Sequence, residues 1–179
     1  MRTEAQPRGR EVTAAESDFL LRVAALSLSF VGFSAVVVTL RGALGGELSA
    51  RHLRLVRLYI EGGLLVTVLG LVPTLLNLLH VPEPVTWRVA SAAAALIFTL
   101  LLVVQFRRRR AVENRFPPWV VIVFLISIVV VLGLWINVAG IVFRPGIGPY
   151  ALALTWALSV FGFTFVRTIE IFLHREPPV

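Results

Sequence analysis

One carboxylate invites a chemical reading. Glu61 is the only acidic residue in the first four apolar blocks of the chain, four residues after Arg57 and seven after Arg54. A carboxylate at membrane depth costs a few kcal/mol unless it is paired, hydrated or protonated. Two chemistries follow. Glu61 can close a local ion pair with Arg57 or Arg54 at the membrane interface. Alternatively it can bind a proton or cation inside a helix bundle, with Gly62 and Gly63 leaving room for a neighbouring helix or an ion. Both remain open at this level. Arg22, one turn inside the first block, is expected to snorkel to headgroups. Arg167 and Glu170, three apart, can pair on one helix face.

Other polar and small residues are spaced for packing rather than chemistry. Gly133, Asn137 and Gly140 recur at i, i+4 and i+7, as do Ala25, Ser29 and Gly32, while Ala90 and Ala94 are four apart. In lipid such stripes let backbones approach closely, and an Asn can hydrogen-bond across the contact. The three histidines (His52, His80, His174) all lie outside the apolar blocks, so a bis-His haem within a bundle is not available. No paired carboxylates or H-E-x-x-H spacing occur, no Ser has a recognisable His or Lys partner, and the chain has no Cys. We therefore assign no catalytic, cofactor or metal residues, and no cofactor is implied.

These residues must be positioned by membrane helices. Of the 179 residues, 58% are apolar and 15% charged, and the mean hydropathy is +0.88. A soluble domain carries roughly 25% charged residues. The apolar residues fall into five blocks, each long enough for a hydrocarbon core of about 30 Å, which takes about 20 helical residues. The expected fold is all-α, a polytopic transmembrane bundle with spans at about 19–40, 58–79, 87–106, 118–143 and 150–173. The first block exceeds the roughly 7–15 apolar residues of a signal peptide and is read as a span. Residues 1–18, mixed in sign, are expected to be a mobile tail, with a second short tail at 174–179 and the transmembrane domain between, 19–173. Residues 48–58 are expected to form a short interfacial amphipathic helix that runs straight into the second span, with Arg51, Arg54 and Arg57 on one arc and leucines opposite. Pro73 should kink the second span, Pro117 and Pro118 open the fourth, and Trp87 suits an aromatic belt.

The net charge of +7 comes from Arg, since the chain has no Lys. The arginines flank spans rather than line a soluble face, so the charge implies anionic headgroups and not nucleic acid. Arg51 and the run Arg107, Arg108, Arg109 and Arg110 are read as facing headgroups. Segments 41–57, 107–115 and the C-terminal stretch together hold eleven arginines, against five on the other side of the membrane. The excess of positive charge inside then places the N-terminus outside and the C-terminus in the cytoplasm.

The phrases "SFVGFSAVVVTLR", "RLVRLYIEGGLL" and "EPVTWRVAS" resemble a group of small multi-pass bacterial membrane proteins without a known activity, over roughly residues 19–110. The resemblance implies a bacterial cytoplasmic-membrane location and marks Arg41, Arg54, Glu61, Pro73 and Trp87 as positions to watch. It implies no activity.

Three function classes fit the sequence. The leading one is a non-enzymatic membrane protein that acts by assembling with itself or with a membrane-protein partner, for which the small-residue stripes speak. The second is an oligomeric ion or proton channel or transporter with Glu61 as the binding group. The third is an anionic-lipid-binding or lipid-active protein working through its Arg clusters.

Overall fold

The computed structural model describes residues 13–43, 50–112, 117–142 and 144–173, with side chains for 13–40, 57–108, 110, 117–142 and 144–166. Five helices make up this part of the chain: α1 (Ala14–Ala43), α2 (Ala50–Leu78), α3 (Glu83–Val112), α4 (Pro118–Ala139) and α5 (Ile147–Leu173). All five contain a stretch long and apolar enough to cross a membrane. Among the described residues there is no strand. The middle of each helix (23–40, 62–79, 89–106, 118–139, 147–166) holds no charged side chain. The all-helical multi-pass architecture is therefore the one the apolar blocks dictate.

Local chemistry sets the helix ends. The amide of Thr13 donates to Glu16 Oε2 at 2.8 Å and the amide of Glu16 donates to Thr13 Oγ1 at 3.3 Å. This reciprocal capping box starts α1 at Ala14. Residues 14–18, expected in a mobile tail, thus form the first helical turn; residues 1–12 and 174–179 lie outside the described residues. Helix α4 opens on Pro118 after Pro117 and closes on Gly140, which has φ +64° and donates its amide to Ile136 O at 3.0 Å. Helix α2 ends in the same left-handed manner without glycine: His80 has φ +57°. Its amide donates to Asn77 O at 2.9 Å and that of Val81 donates to Leu76 O at 3.1 Å, the paired bonds of a Schellman motif.

The stretch expected as an interfacial helix at 48–58 is not set off from the second span among the described residues, in keeping with the expectation that it runs straight into it. Residues 50–58 run unbroken into the span as the start of α2, because nothing between Ala50 and Ile60 interrupts helical hydrogen bonding. Helix α3 likewise continues through Arg107–Arg110 rather than stopping at Phe106. Arginine is a good helix former, so leaving hydrocarbon does not end the helix.

Helices α1 and α2 form one antiparallel pair, α3 and α4 another, and α5 packs against all four, while α1 touches neither α3 nor α4. Small residues seat α1 on α2. A Cβ at Gly70 would lie 3.2 Å from Ala24 Cβ and 3.3 Å from Leu20 O, and one at Gly63 would collide with Val31. Ser27 donates to Gly63 O at 2.8 Å across this seam. The bundle has two ends. The Pro82 end gathers the start of α1, the α2–α3 turn and the α4–α5 loop; the Arg107 end gathers the opposite termini. The buried core, including Leu20, Val66, Trp87, Ala94, Leu134 and Tyr150, lies in the half toward Pro82.

Candidate functional site

Glu61 sits in the local pair and not in the bundle interior. Arg57 Nε donates to Glu61 Oε1 at 2.6 Å, and the two side chains are 79% and 59% exposed. The next two residues turn inward: a Cβ at Gly62 would enter the Phe161 ring of α5, and Gly63 meets α1. Successive helical residues differ by about 100°, so the glycines serve helix contacts on the side away from the carboxylate. The side chains of Arg51, Arg54, Arg109, Arg167 and Glu170 lie outside the described residues. Arg22 pairs with Asp18 at 2.9 Å on an exposed face. Among the described residues no three His, Asp or Glu side chains group to hold a metal.

The stripe on α4 divides into three roles. Asn137 is completely buried. Its Nδ2 donates to Ser91 Oγ at 2.8 Å and to Gly146 O at 3.1 Å, and its Oδ1 accepts from the Gly146 amide at 3.1 Å. One side chain thereby joins α3, α4 and the α4–α5 loop. Gly140 is the left-handed cap, with Arg88 Nη2 3.2 Å from where a Cβ would stand, and Gly133 has nothing within 4 Å of that position. On α1, Ala25, Ser29 and Gly32 are exposed. Ser29 donates to its own helix at Ala25 O, 2.9 Å away, and a Cβ at Gly32 would meet nothing within 4 Å. The face that α1 turns to α2 lies further round, at Leu20, Ala24, Ser27 and Ser34.

Trp87 is not in an aromatic belt. It is completely buried, its ring centroid 6.0 Å from that of Tyr150. Tyr150 is the member of this cluster that residue spacing could not identify. Pro73 has no amide proton, so the carbonyl four residues earlier, Leu69 O, loses its helical partner. Tyr150 Oη, from α5, donates to that carbonyl at 2.5 Å. In hydrocarbon a freed carbonyl needs such a replacement. The proline announces the vacancy; the donor is 81 residues away.

The Arg107 end is loosely filled. A cavity of about 510 Å³ lies among α2, α3, α4 and α5, walled by Tyr59, Phe98, Trp156 and Phe161, with Gln105 and Ser127 adding polar atoms. Trp156 Nε1 donates to Ser127 Oγ at 3.0 Å, and Ser127 donates to Val123 O at 2.7 Å. No acid, base or histidine lines this cavity among the described residues, so it can hold apolar matter but carries no proton chemistry. A second cavity of about 490 Å³ is a surface groove between α3 and α4. Leu102, Phe106, Phe124 and Ile128 form its apolar length, and Arg107 and Arg110 its end. Leu102 and Phe124 line both cavities. Arg108, also exposed, is on the same helix end.

Compared with protein-family models, with curated proteins and with solved structures, the chain matches none.

Proposed function

We propose that this chain is a non-enzymatic multi-pass protein of a bacterial cytoplasmic membrane that acts by assembling with a second copy or with another membrane protein. Its N-terminus is outside and its C-terminus cytoplasmic, following the eleven-to-five division of arginines. The first turns of α2 lie at headgroup level, with the exposed Arg57 toward anionic lipid.

The observation that supports assembly is the open face of α1. Glycines sit in three of the contacts that α2 makes: Gly62 against α5, Gly63 and Gly70 against α1. Gly32, with Ala25 and Ser29, presents the same kind of surface with nothing against it. Small residues at a lipid-exposed face allow a further helix to approach closely. The exposed Arg57–Glu61 pair supports a structural role for Glu61 rather than conduction.

The test is the mass of the particle in nanodiscs for wild type, Gly32→Leu and Gly63→Leu. Wild type should be larger than one copy. Gly32→Leu should shift it to the single copy with helicity and folding intact, because space within the chain accommodates the leucine. Gly63→Leu should damage folding itself. A wild-type particle of one copy, bound to no other protein, would remove the assembly reading.

A further inference from the structure

One face of α3 changes character at the end of its apolar stretch. Leu102, Phe106 and Arg110 recur at i, i+4 and i+8, and Val103, Arg107 and Arg110 at i, i+4 and i+7. Each series is a single track along the helix surface that begins apolar, at Leu102 and Phe106 or at Val103, and ends cationic. Helix α4 supplies the facing wall from Phe124 and Ile128, also one turn apart. Phe106 and Phe124 meet edge to face at 5.9 Å, and the Arg110 guanidinium stands 5.7 Å from the Phe106 ring centroid. Among the described residues neither Arg107 nor Arg110 pairs with a carboxylate. Arg107 and Arg110 are both exposed residues and both line the groove.

We propose that the groove between α3 and α4 binds one anionic phospholipid, its headgroup phosphate between Arg107 and Arg110 and an acyl chain along Leu102, Phe106, Phe124 and Ile128. Charge complementarity selects the occupant. A guanidinium offers paired donors that match phosphate oxygens, and an apolar track leading away from it suits a chain covalently joined to that phosphate. The cavity of about 490 Å³ lies in the range of about 300–1,000 Å³ typical of ligand pockets. The site is independent of the α1 face invoked for assembly, since α1 touches neither α3 nor α4.

The experiment uses the full chain in phosphatidylcholine vesicles doped with phosphatidylglycerol, one or the other lipid carrying a photoactivatable acyl chain. Crosslinked peptides are mapped by mass spectrometry. The anionic lipid should label α3 and α4 around residues 102–106 and 124–128, with a preference over the zwitterionic lipid of roughly tenfold. Arg107→Gln with Arg110→Gln should bring that preference close to parity. Arg108→Gln with Arg109→Gln removes the same charge from the same helix end and should leave most of it. Ile128→Trp fills the groove without changing charge and should suppress labelling by either lipid there. The proposal is overturned if the two arginine pairs lose preference equally, which would mean diffuse surface charge. It is also overturned if Ile128→Trp leaves the labelling unchanged, which would place the chain elsewhere. Competition by glycerophosphate as strong as that by phosphatidylglycerol would show an anion site without a tail and would overturn it as well.

Discussion

At the Pro82 end, Asn137, Tyr150 and Trp87 are completely buried, and the first two of them hydrogen-bond to other helices or loops. At the Arg107 end, Tyr59, Gln105, Trp156 and Phe161 border a cavity of about 510 Å³. Both ends are lined by apolar side chains, so apolar character alone does not explain the difference. In lipid the tails outside are as apolar as the side chains inside, and helices associate through close packing and cross-helix hydrogen bonds. Where small residues and paired polar atoms coincide, as at Ala90, Ala94, Ser91 and Asn137, the helices close on one another. At the other end Phe98, Trp156 and Phe161 border open space.

Six substitutions put this contrast under strain, each read as unfolding free energy in mixed micelles or bicelles. The largest effect is expected from Trp87→Ala, about 3–5 kcal/mol, because a completely buried ring is deleted from a filled core. Phe161→Ala should cost less, because its ring is only partly buried and borders an existing cavity. Equal losses at the two positions would erase the distinction between the ends.

Asn137→Ala comes next, at about 2–3 kcal/mol. It removes three hydrogen bonds and leaves the Gly146 amide and carbonyl without their partner. A loss under about 0.5 kcal/mol would show that the clamp is replaceable by water.

Tyr150→Phe should cost about 1–2 kcal/mol, the penalty of an orphaned Leu69 carbonyl. The second arm of this test is Pro73→Ala, which restores an amide to that carbonyl. In the Pro73→Ala background the tyrosine should matter less by about 1 kcal/mol. Strict additivity of the two changes would show that Tyr150 contributes through its ring alone.

The smallest expected change is a gain. His80→Gly should stabilise by about 0.5–1 kcal/mol, since a left-handed residue with a Cβ is strained and glycine is not. Destabilisation would mean that the imidazole makes a contact outweighing the strain.

Much of the frame was legible before any coordinates. Five apolar blocks announced five helices, since backbone groups in hydrocarbon must be satisfied within the segment. Pro117 and Pro118 marked the start of α4, but its expected end at residue 143 overshot the left-handed cap at Gly140, a glycine that the spacing assigns to a packing stripe. The capping box Thr13–Glu16 is equally visible as a T-x-x-E spacing, and it starts α1 earlier than the apolar run suggests. Periodicity was less reliable for faces. Ala25, Ser29 and Gly32 form as good a stripe as Leu20, Ala24 and Ser27, but only the latter lies against α2. A helix that is apolar all round carries no internal mark of which side meets protein.

The sequence by itself determined that the chain is helical, that five segments suit a bilayer, and that charge is confined to their ends, because the solvation of backbone and charge is decided residue by residue. Tertiary structure alone decided the partners. It pointed Glu61 outward to Arg57, buried Trp87 and brought Tyr150 to the carbonyl freed by Pro73. It also left the groove that ends at Arg107 and Arg110. These depend on the rotation of each helix about its axis. With lipid and protein equally apolar, only cross-helix packing and hydrogen bonding between distant residues set that rotation.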